Sequence, residues 1–512
     1  MLYCLENAER RSQMKVNKLL HSVFGTTPGK GMQPKEAIAY SITGFGQNLI
    51  CNIIGSYLMV FMTDALLFDI DSKVGAVSGV VAVAYLMLFT RIYDALNDPI
   101  MGSLVDRTRT KWGKCRPYLK WMAFPIAIMT ILCFLPVYDN TAKSFAVISA
   151  IYVLWSMVYT VADVPYWGLS TAMTNDTEVR GKMLTVARLA CTLGAGIVTV
   201  FVPIITSGVT AKYKDENGLL ITQYSAQNAE TLKWTYFICA VVLVAIAIPT
   251  FFYGFKNTKE RYTATENPPS LGHNFSLLFK NRELMLIVLS GILGSARTVY
   301  MGAGGLYFAK YALSNEGIYS IMTILVVPGG LIASVLVPWL TSKFGTRNTY
   351  IISHLIGAIT MFVMFFVGYK STAALIVCAI GIVILGIPQG INNVMTYAMI
   401  GDTVDYLEWK TGERAEGICF AMQTLINKIG MAVAAFVGVI AYAMAGISPQ
   451  NPAGSITPEG LDKLWLMIVL TGALSMLLTI VPMLFYRLSE KKQAEMVKEI
   501  ESRKQAAAVT AE

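Results

Sequence analysis

Charge is scarce in this chain. Only 14% of its 512 residues are Asp, Glu, Lys or Arg, against roughly 25% in an ordinary soluble domain. Histidine is rarer still. His21, His273 and His354 are the three present, and none stands in a metal-ligand or triad pattern, which argues against a membrane enzyme. The eight cysteines are scattered without a C-x-x-C pair, so they read as buried reduced thiols. No G-x-x-x-x-G-K-[ST] loop is present. GTTPGKG at 25–31 has the wrong spacing, which disfavours a nucleotide-driven pump. GAGGLY at 302–307 lies inside an apolar run, where helix packing explains its glycines better than a phosphate cradle does. The first 20 residues lack an uninterrupted apolar core, so no cleavable signal peptide is expected there, only a polar tail or a short surface helix.

What the chain has instead is hydrocarbon. It is 55% hydrophobic, with a mean hydropathy of +0.54. Apolar runs of about 20 residues recur, each long enough to cross a ~30 Å bilayer core. Twelve spans are expected, near 41–66, 74–103, 117–137, 144–173, 183–208, 235–255, 284–311, 317–342, 349–369, 373–400, 416–446 and 463–487. The fold class that follows is an all-α membrane protein of twelve helices in two six-helix halves. Span 7 stands apart, because it carries Arg297 and several glycines.

The net charge of +9 does not point to nucleic acid, because its placement explains it. Lys and Arg crowd the tail before span 1 and the loops after spans 2, 6 and 8 (DRTRTKWGKCRPYLK, KNTKERY and KNRE, SKFGTR), and return after span 12. The alternate loops are poorer in them. The positive-inside rule then places both termini in the cytoplasm of a multi-pass plasma-membrane protein, a bacterial inner membrane being the expected setting. The polar segment 256–283, with Pro268-Pro269, divides the chain. The parts are a cytoplasmic tail 1–36, a six-helix half 37–255, a middle loop 256–283, a second half 284–487 and a tail 488–512, expected as a frayed polar helix. Basic turns recur after spans 2 and 8 (GSLVDRTRTKWGK and PWLTSKFGTRNTY), as in carriers whose halves rock about a central site.

Several charges sit where the sequence leaves no water. Asp94 and Asp98 of span 2 share a helical face, with Arg91 one turn away and Asn97 beside them. Two adjacent carboxylates repel unless a cation neutralises them, and hard oxygen ligands suit Na+ or a proton. The plainer alternative is a helix end pinned to the basic loop. On span 4, Ser156, Thr160, Asp163 and Trp167 form one polar stripe with Tyr159 on its edge, and Pro165 weakens the helix nearby. An aromatic ring beside a carboxylate suits a sugar, although Trp167 also fits an interfacial belt. Span 5 carries Arg188, the natural partner of Asp163. Span 11 carries Gln423, Thr424, Asn427 and Lys428, of which the lysine can also be read as snorkelling. Left unpaired in lipid, Asp94, Asp98, Asp163, Arg188 and Lys428 would together cost about 12–18 kcal/mol, so a shared polar cavity is expected.

At these residues the chain resembles a known family. RIYDALNDPIMGSLVDRTRTKWGKCRPYL, YTVADVPYWGL and GDTVDYLEWKTGERAEGICFAMQTLINKIG look like stretches of the glycoside–pentoside–hexuronide:cation symporters, of major facilitator fold, and the likeness runs from about 37 to 487. The resemblance implies a secondary carrier that imports a sugar with Na+ or H+, with no cofactor, no nucleic-acid partner and no catalytic residues, working as a monomer. It implies a cation site, the chain's one metal site, at Asp94 and Asp98 with Asn97 and Thr160. It implies a sugar site at Tyr159, Asp163, Trp167 and Arg188, with Gln423, Thr424, Lys428 and Asn48 lining the cavity. It implies a cytoplasmic gate at Arg180, Asp402, Asp405 and Arg414. Gln47 and Asn48 stand where melibiose carriers of the family have a lysine and a sugar-binding aspartate, and Asn393 stands near where those carriers have a cavity tryptophan. The sugar half of the site has therefore changed. With Asn48 neutral, Asp163 against Arg188 and Lys428 sums to +1, which tolerates an acidic sugar. The competing readings are a carrier for a lysolipid or drug, and a non-transporting membrane enzyme or receptor.

Overall fold

The computed structural model describes residues 20–26, 31–174, 176–210, 226–261, 271–413, 416–448 and 457–511. Long helices dominate because the sequence is a series of apolar runs with few polar breaks. The first half contains α1 (Pro34–Val60), α2 (Gly79–Arg107), α3 (Arg116–Cys133), α4 (Ala142–Met173), α5 (Thr177–Thr210) and α6 (Ala226–Asn257). A two-residue hairpin, β1 (Lys73–Val74) with β2 (Val77–Ser78), links α1 to α2. After a short α7 (Leu271–Lys280), the second half contains α8 (Arg282–Leu293), α9 (Ala303–Tyr307), α10 (Gly317–Phe344), α11 (Thr346–Val367), α12 (Thr372–Thr411), α13 (Glu416–Met444) and α14 (Pro458–Leu484). A last helix, α15, covers Glu490–Ala511.

Ten helices among the described residues are long and apolar enough to cross a membrane. The two other expected spans are also helical: α2, which carries the buried charges, and α3, which begins with Arg116 and Lys120. Local signals set the ends. Thr141, Asn281, Ser371 and Thr457 cap their helices through side-chain oxygens, and Pro34, Pro117 and Pro458 occupy first-turn positions that need no N–H. Span 7 is where the plain-helix expectation fails. It breaks into α8, a 3-10 segment Ser295–Met301, the short α9 and a π-turn Phe308–Ala312. Gly294 and Gly302 sit at the breaks, and the Arg297 guanidinium donates to the freed Gly294 carbonyl at 2.6 Å.

In the first half α1 packs on α5 and α6, and α4 on α2 and α3. In the second α10 and α11 pack on α12, and α14 on α11 and α8. The halves meet along two seams, α2 with α13 and α5 with α10. Small residues let backbones touch. A Cβ on Gly329 would stand 2.0 Å from the Val383 carbonyl, and one on Gly390 2.1 Å from that of Gly330. This fixes α12, the carrier of Tyr397 and Asp402, closely against α10.

The C-terminal helix is not frayed over its first turns. Met496 and Ile500 are buried, and Met496 belongs to the cluster that holds Val404, Leu407 and Cys419. Gln493 donates to Asp402, Trp409 Nε1 to Glu499 at 2.7 Å, and Arg503 to the Trp409 carbonyl at 2.9 Å. The Glu490 carboxylate accepts from the backbone and hydroxyl of Thr346 at the start of α11. Burial works against its charge, yet these bonds hold the Glu490 carboxyl below its usual range. Met496→Asp is expected to detach α15 and raise tryptic cleavage at Lys498 and Arg503 by about tenfold or more. Unchanged cleavage would show that another contact holds the helix.

Candidate functional site

Three helices bring the polar groups together. Arg91 and Asp94 lie on α2, one turn apart and both buried, with Nη1 to Oδ2 at 3.5 Å. The Ser156 hydroxyl of α4 donates to the other oxygen of Asp94. Asp98, one turn further along α2, accepts from Lys428 of α13 at 2.6 Å. The carboxylates therefore meet α4, at Asp94, and α13, at Asp98, rather than a basic loop. Their surroundings are electrically closed: Asp94 and Asp98 against Arg91 and Lys428 sum to zero. Thr160, one turn beyond Ser156, is buried beside Asp98 with its hydroxyl outside hydrogen-bond geometry. Asn97 is half-buried on α2, and its side chain makes no hydrogen bond among the described residues.

The stripe on α4 continues into a second cluster. Asp163 is buried, and its Oδ1 accepts from Gln47 of α1 at 2.6 Å and from Trp167 Nε1 at 3.1 Å. Tyr159 is buried with its hydroxyl 3.4 Å from Gln47 Nε2 and its ring stacked on Trp155 at 5.0 Å. Trp155 is in turn fixed by Thr130 of α3 at 2.9 Å. Arg188 is exposed. Its guanidinium lies 4.2 Å over the Trp167 ring and 5.2 Å from Tyr397 of α12, so one cation from the first half touches an aromatic of the second.

Two expected pairings differ. Asp163 and Arg188 form no ion pair, because the Trp167 ring takes the guanidinium and Gln47 takes the carboxylate. Lys428, expected to line the sugar cavity, is held by Asp98. The remaining cavity residues are spread more loosely. Gln423 is buried, bonds Asn427 at 3.2 Å and keeps an unpartnered carbonyl. Thr424 is exposed on the same helix, as is Asn393 on α12. Asn48 turns back to its own helix, donating to the Gly44 carbonyl at 3.0 Å. Gln47, its neighbour, is the α1 residue that reaches the site. The departure from the family pattern was its signal in the sequence. Tyr397 had none.

Of the expected cytoplasmic gate, Arg180 lies on α5 and Asp402 and Asp405 on α12. Asp402 is held by Gln493, and Arg180 forms no ion pair with Asp402 or Asp405. Arg414 lies outside the described residues. Among the described residues no group of three His, Cys, Asp or Glu side chains is placed to hold a metal. The cation chemistry on offer at the centre is that of two carboxylates with hydroxyl neighbours, which suits an alkali ion or a proton.

Comparison with known proteins agrees in kind. A model of the family described as MFS/sugar transport protein matches residues 39–490. The chain is 27% identical over 472 residues to the glucuronide carrier protein homolog of Escherichia coli (strain K12), covering 92% of this chain and 96% of that one. It is 26% identical over 480 residues to the isoprimeverose transporter of Lactiplantibacillus pentosus, covering 93% of each. Among solved structures, the nucleoside transporter NupG superposes with a TM-score of 0.57 at 14% identity, over 88% of this chain and 99% of that one. A D-xylose-proton symporter superposes with a TM-score of 0.55 at 13% identity, over 87% and 96%. At such identities the structural likeness speaks for the fold alone.

Proposed function

The chain belongs to the MFS/sugar transport protein family and is a secondary sugar transporter, and from that premise we propose that it imports an acidic sugar together with Na+. The observation that carries this reading is the 2.6 Å bond between Lys428 and Asp98. Two unit charges 4 Å apart repel by about 4 kcal/mol in a partly shielded site, so Lys428 and a metal cation compete for Asp98. A cation that binds Asp94 and Asp98, helped by the Thr160 hydroxyl and the Asn97 carbonyl, releases the ammonium. Released from Asp98, Lys428 turns toward Asp163, the buried carboxylate of the neighbouring cluster. The sugar pocket then changes from neutral, Asp163 against Arg188, to +1. An anionic sugar fills that surplus. The ring stacks against the aromatic lining, its hydroxyls donate to Asp163, and its acid meets Arg188 and the released Lys428.

Coupling follows as a mutual gain in affinity. Whatever factor the cation adds to sugar binding, the sugar adds to cation binding. Hydroxyl and amide oxygens around the carboxylates favour Na+ over H+, since a proton needs no extra ligands. The lysine- and arginine-rich ends of the helices, both termini included, face the cytoplasm of a bacterial inner membrane. Arg180 with Asp402, Asp405 and Arg414 latches that side when the carrier faces out. The protein acts as a monomer and carries no catalytic residues.

Uptake of a labelled glucuronide and of the matched neutral glycoside, with a Na+ or a pH gradient, tests the reading. Glucuronide accumulation driven by Na+, lost when an ionophore dissipates the gradient, is the expected result. Accumulation driven by pH alone assigns the coupling to H+. A clear preference for the neutral glycoside sinks the acidic substrate, and uptake indifferent to any gradient sinks symport.

A further inference from the structure

At the end of the bundle opposite the termini, the two halves are joined by a duplicated motif. The chain leaves α1 through a π-turn, Phe61–Ala65, and leaves span 7 through another, Phe308–Ala312. The sequences are FMTDALLFD and FAKYALSNE, in register at an offset of 247. The backbones match in detail. Leu66 and Leu313 donate to Phe61 and Phe308, and Phe68 and Asn315 to Met62 and Ala309. Leu67 and Ser314, at equivalent places, are the non-glycine residues with positive φ among the described residues, at 62° and 54°. Two such conformations at related positions mark a fold that over-determines them.

Each copy ends in an acid that reaches the other half. Asp69 accepts from Ser448 of the α13 end at 2.8 Å, and Glu316 accepts from Thr206 of α5. Within the turns, Lys310 lies 2.5 Å from Asp64, across the interface, and 3.0 Å from Glu316, in its own half. All three side chains are about 1% exposed. Thr63 bonds the Tyr307 hydroxyl across the same seam at 2.9 Å, and Ser320 bonds the Val200 carbonyl at 2.9 Å.

We infer that Asp64 and Lys310 form the outer gate of the transport cycle, with Glu316 as the residue that positions the lysine. The two acids have different jobs. Asp64 ties the halves, and it must lose Lys310 to water each time the outer side opens. Glu316 belongs to the same half as Lys310 and keeps the ammonium aimed and partnered when the gate parts. Two carboxylates on one lysine leave a buried surplus of negative charge, so neutralising Glu316 leaves a balanced Asp64–Lys310 pair still closed. Neutralising Asp64 leaves a balanced Lys310–Glu316 pair that no longer reaches across to the first half through Asp64.

The inference rests on the carrier reading for its place in a cycle, and its test uses no sugar or ion. A Ser320→Cys reporter, buried at the seam, is labelled from outside by a membrane-impermeant maleimide, with the chain lacking the reporter as background. Asp64→Asn is expected to raise the labelling rate about tenfold or more, and Glu316→Gln to leave it unchanged or lower it. The exchange Asp64→Lys with Lys310→Asp is expected to return labelling to the parent rate, which excludes misfolding as the cause. Equal rates in all variants, or faster labelling with Glu316→Gln than with Asp64→Asn, would overturn the assignment. Failure of sugar uptake in the parent chain would bear on the carrier reading and not on the gate.

Discussion

Asp98→Asn is expected to abolish concentrative uptake, with a fall of at least about a hundredfold and no residual stimulation by Na+. The asparagine keeps a carbonyl oxygen but loses the charge for which the cation and Lys428 compete. It also leaves Lys428, side chain 10% exposed, without its acid. Breaking one partner out of a buried pair costs about 3–5 kcal/mol, so the single variant is expected to be unstable as well as inactive. The double change Asp98→Asn with Lys428→Gln separates the two effects. Removing the orphaned ammonium is expected to restore thermal stability while leaving accumulation at background. Lys428→Gln alone leaves Asp94, Asp98 and Arg91 with a net charge of −1. Cation binding is expected to tighten in that variant while its effect on sugar affinity disappears. Equilibrium radiosodium binding, with and without sugar, reads both. Sodium-stimulated accumulation surviving in Asp98→Asn would remove the carboxylate pair from the mechanism.

The central charges were legible because the bilayer makes them conspicuous. Asp94, Asp98, Asp163, Arg188 and Lys428 interrupt apolar runs, and an intramembrane charge demands an interior location. Helical spacing alone put Ser156, Thr160, Asp163 and Trp167 on one face, and the structure shows Ser156 on Asp94 and Trp167 on Asp163. Partner choice was not legible. Arg188 has both a carboxylate and an indole within the reach of its side chain, and only the placement of α1, which brings Gln47 to Asp163, decides for the ring. The docked C-terminal helix was hidden because its buried apolar side chains among the described residues are two, Met496 and Ile500, too few to register as periodicity. Span 7 carried its own warning in Gly294, Arg297 and Gly302. The duplicated turns escaped notice because their likeness lies in backbone shape, and FMTDALL and FAKYALS share few identities.

The second large effect is expected at Asp163. Its Oδ1 is filled by Gln47 and Trp167, whereas Oδ2 takes no hydrogen bond from the described residues, so that oxygen is the one left for a sugar hydroxyl. Asp163→Asn keeps an acceptor toward Gln47 and Trp167 and turns an amide donor toward the substrate. A hydroxyl then meets a donor where it needs a charged acceptor, and hydrogen bonds to charged groups contribute about 1.5–3 kcal/mol. Sugar affinity is expected to fall about a hundredfold, with radiosodium affinity in the absence of sugar changed by less than about threefold. Gln47→Glu is the sharper variant. It sets a second carboxylate where the amide now lies 2.6 Å from Asp163, and the pair then holds a proton or repels. Sugar binding is expected to become steeply dependent on pH in this variant, recovering as pH falls and the shared proton binds. Glucuronide titrations by equilibrium dialysis across a pH range of about 5–8, where a shared carboxylate proton titrates, distinguish the outcomes. Parent-like affinity in Asp163→Asn would place the sugar elsewhere in the cavity, and a flat pH profile in Gln47→Glu would mean that the α1 side chain does not lie against Asp163 during binding.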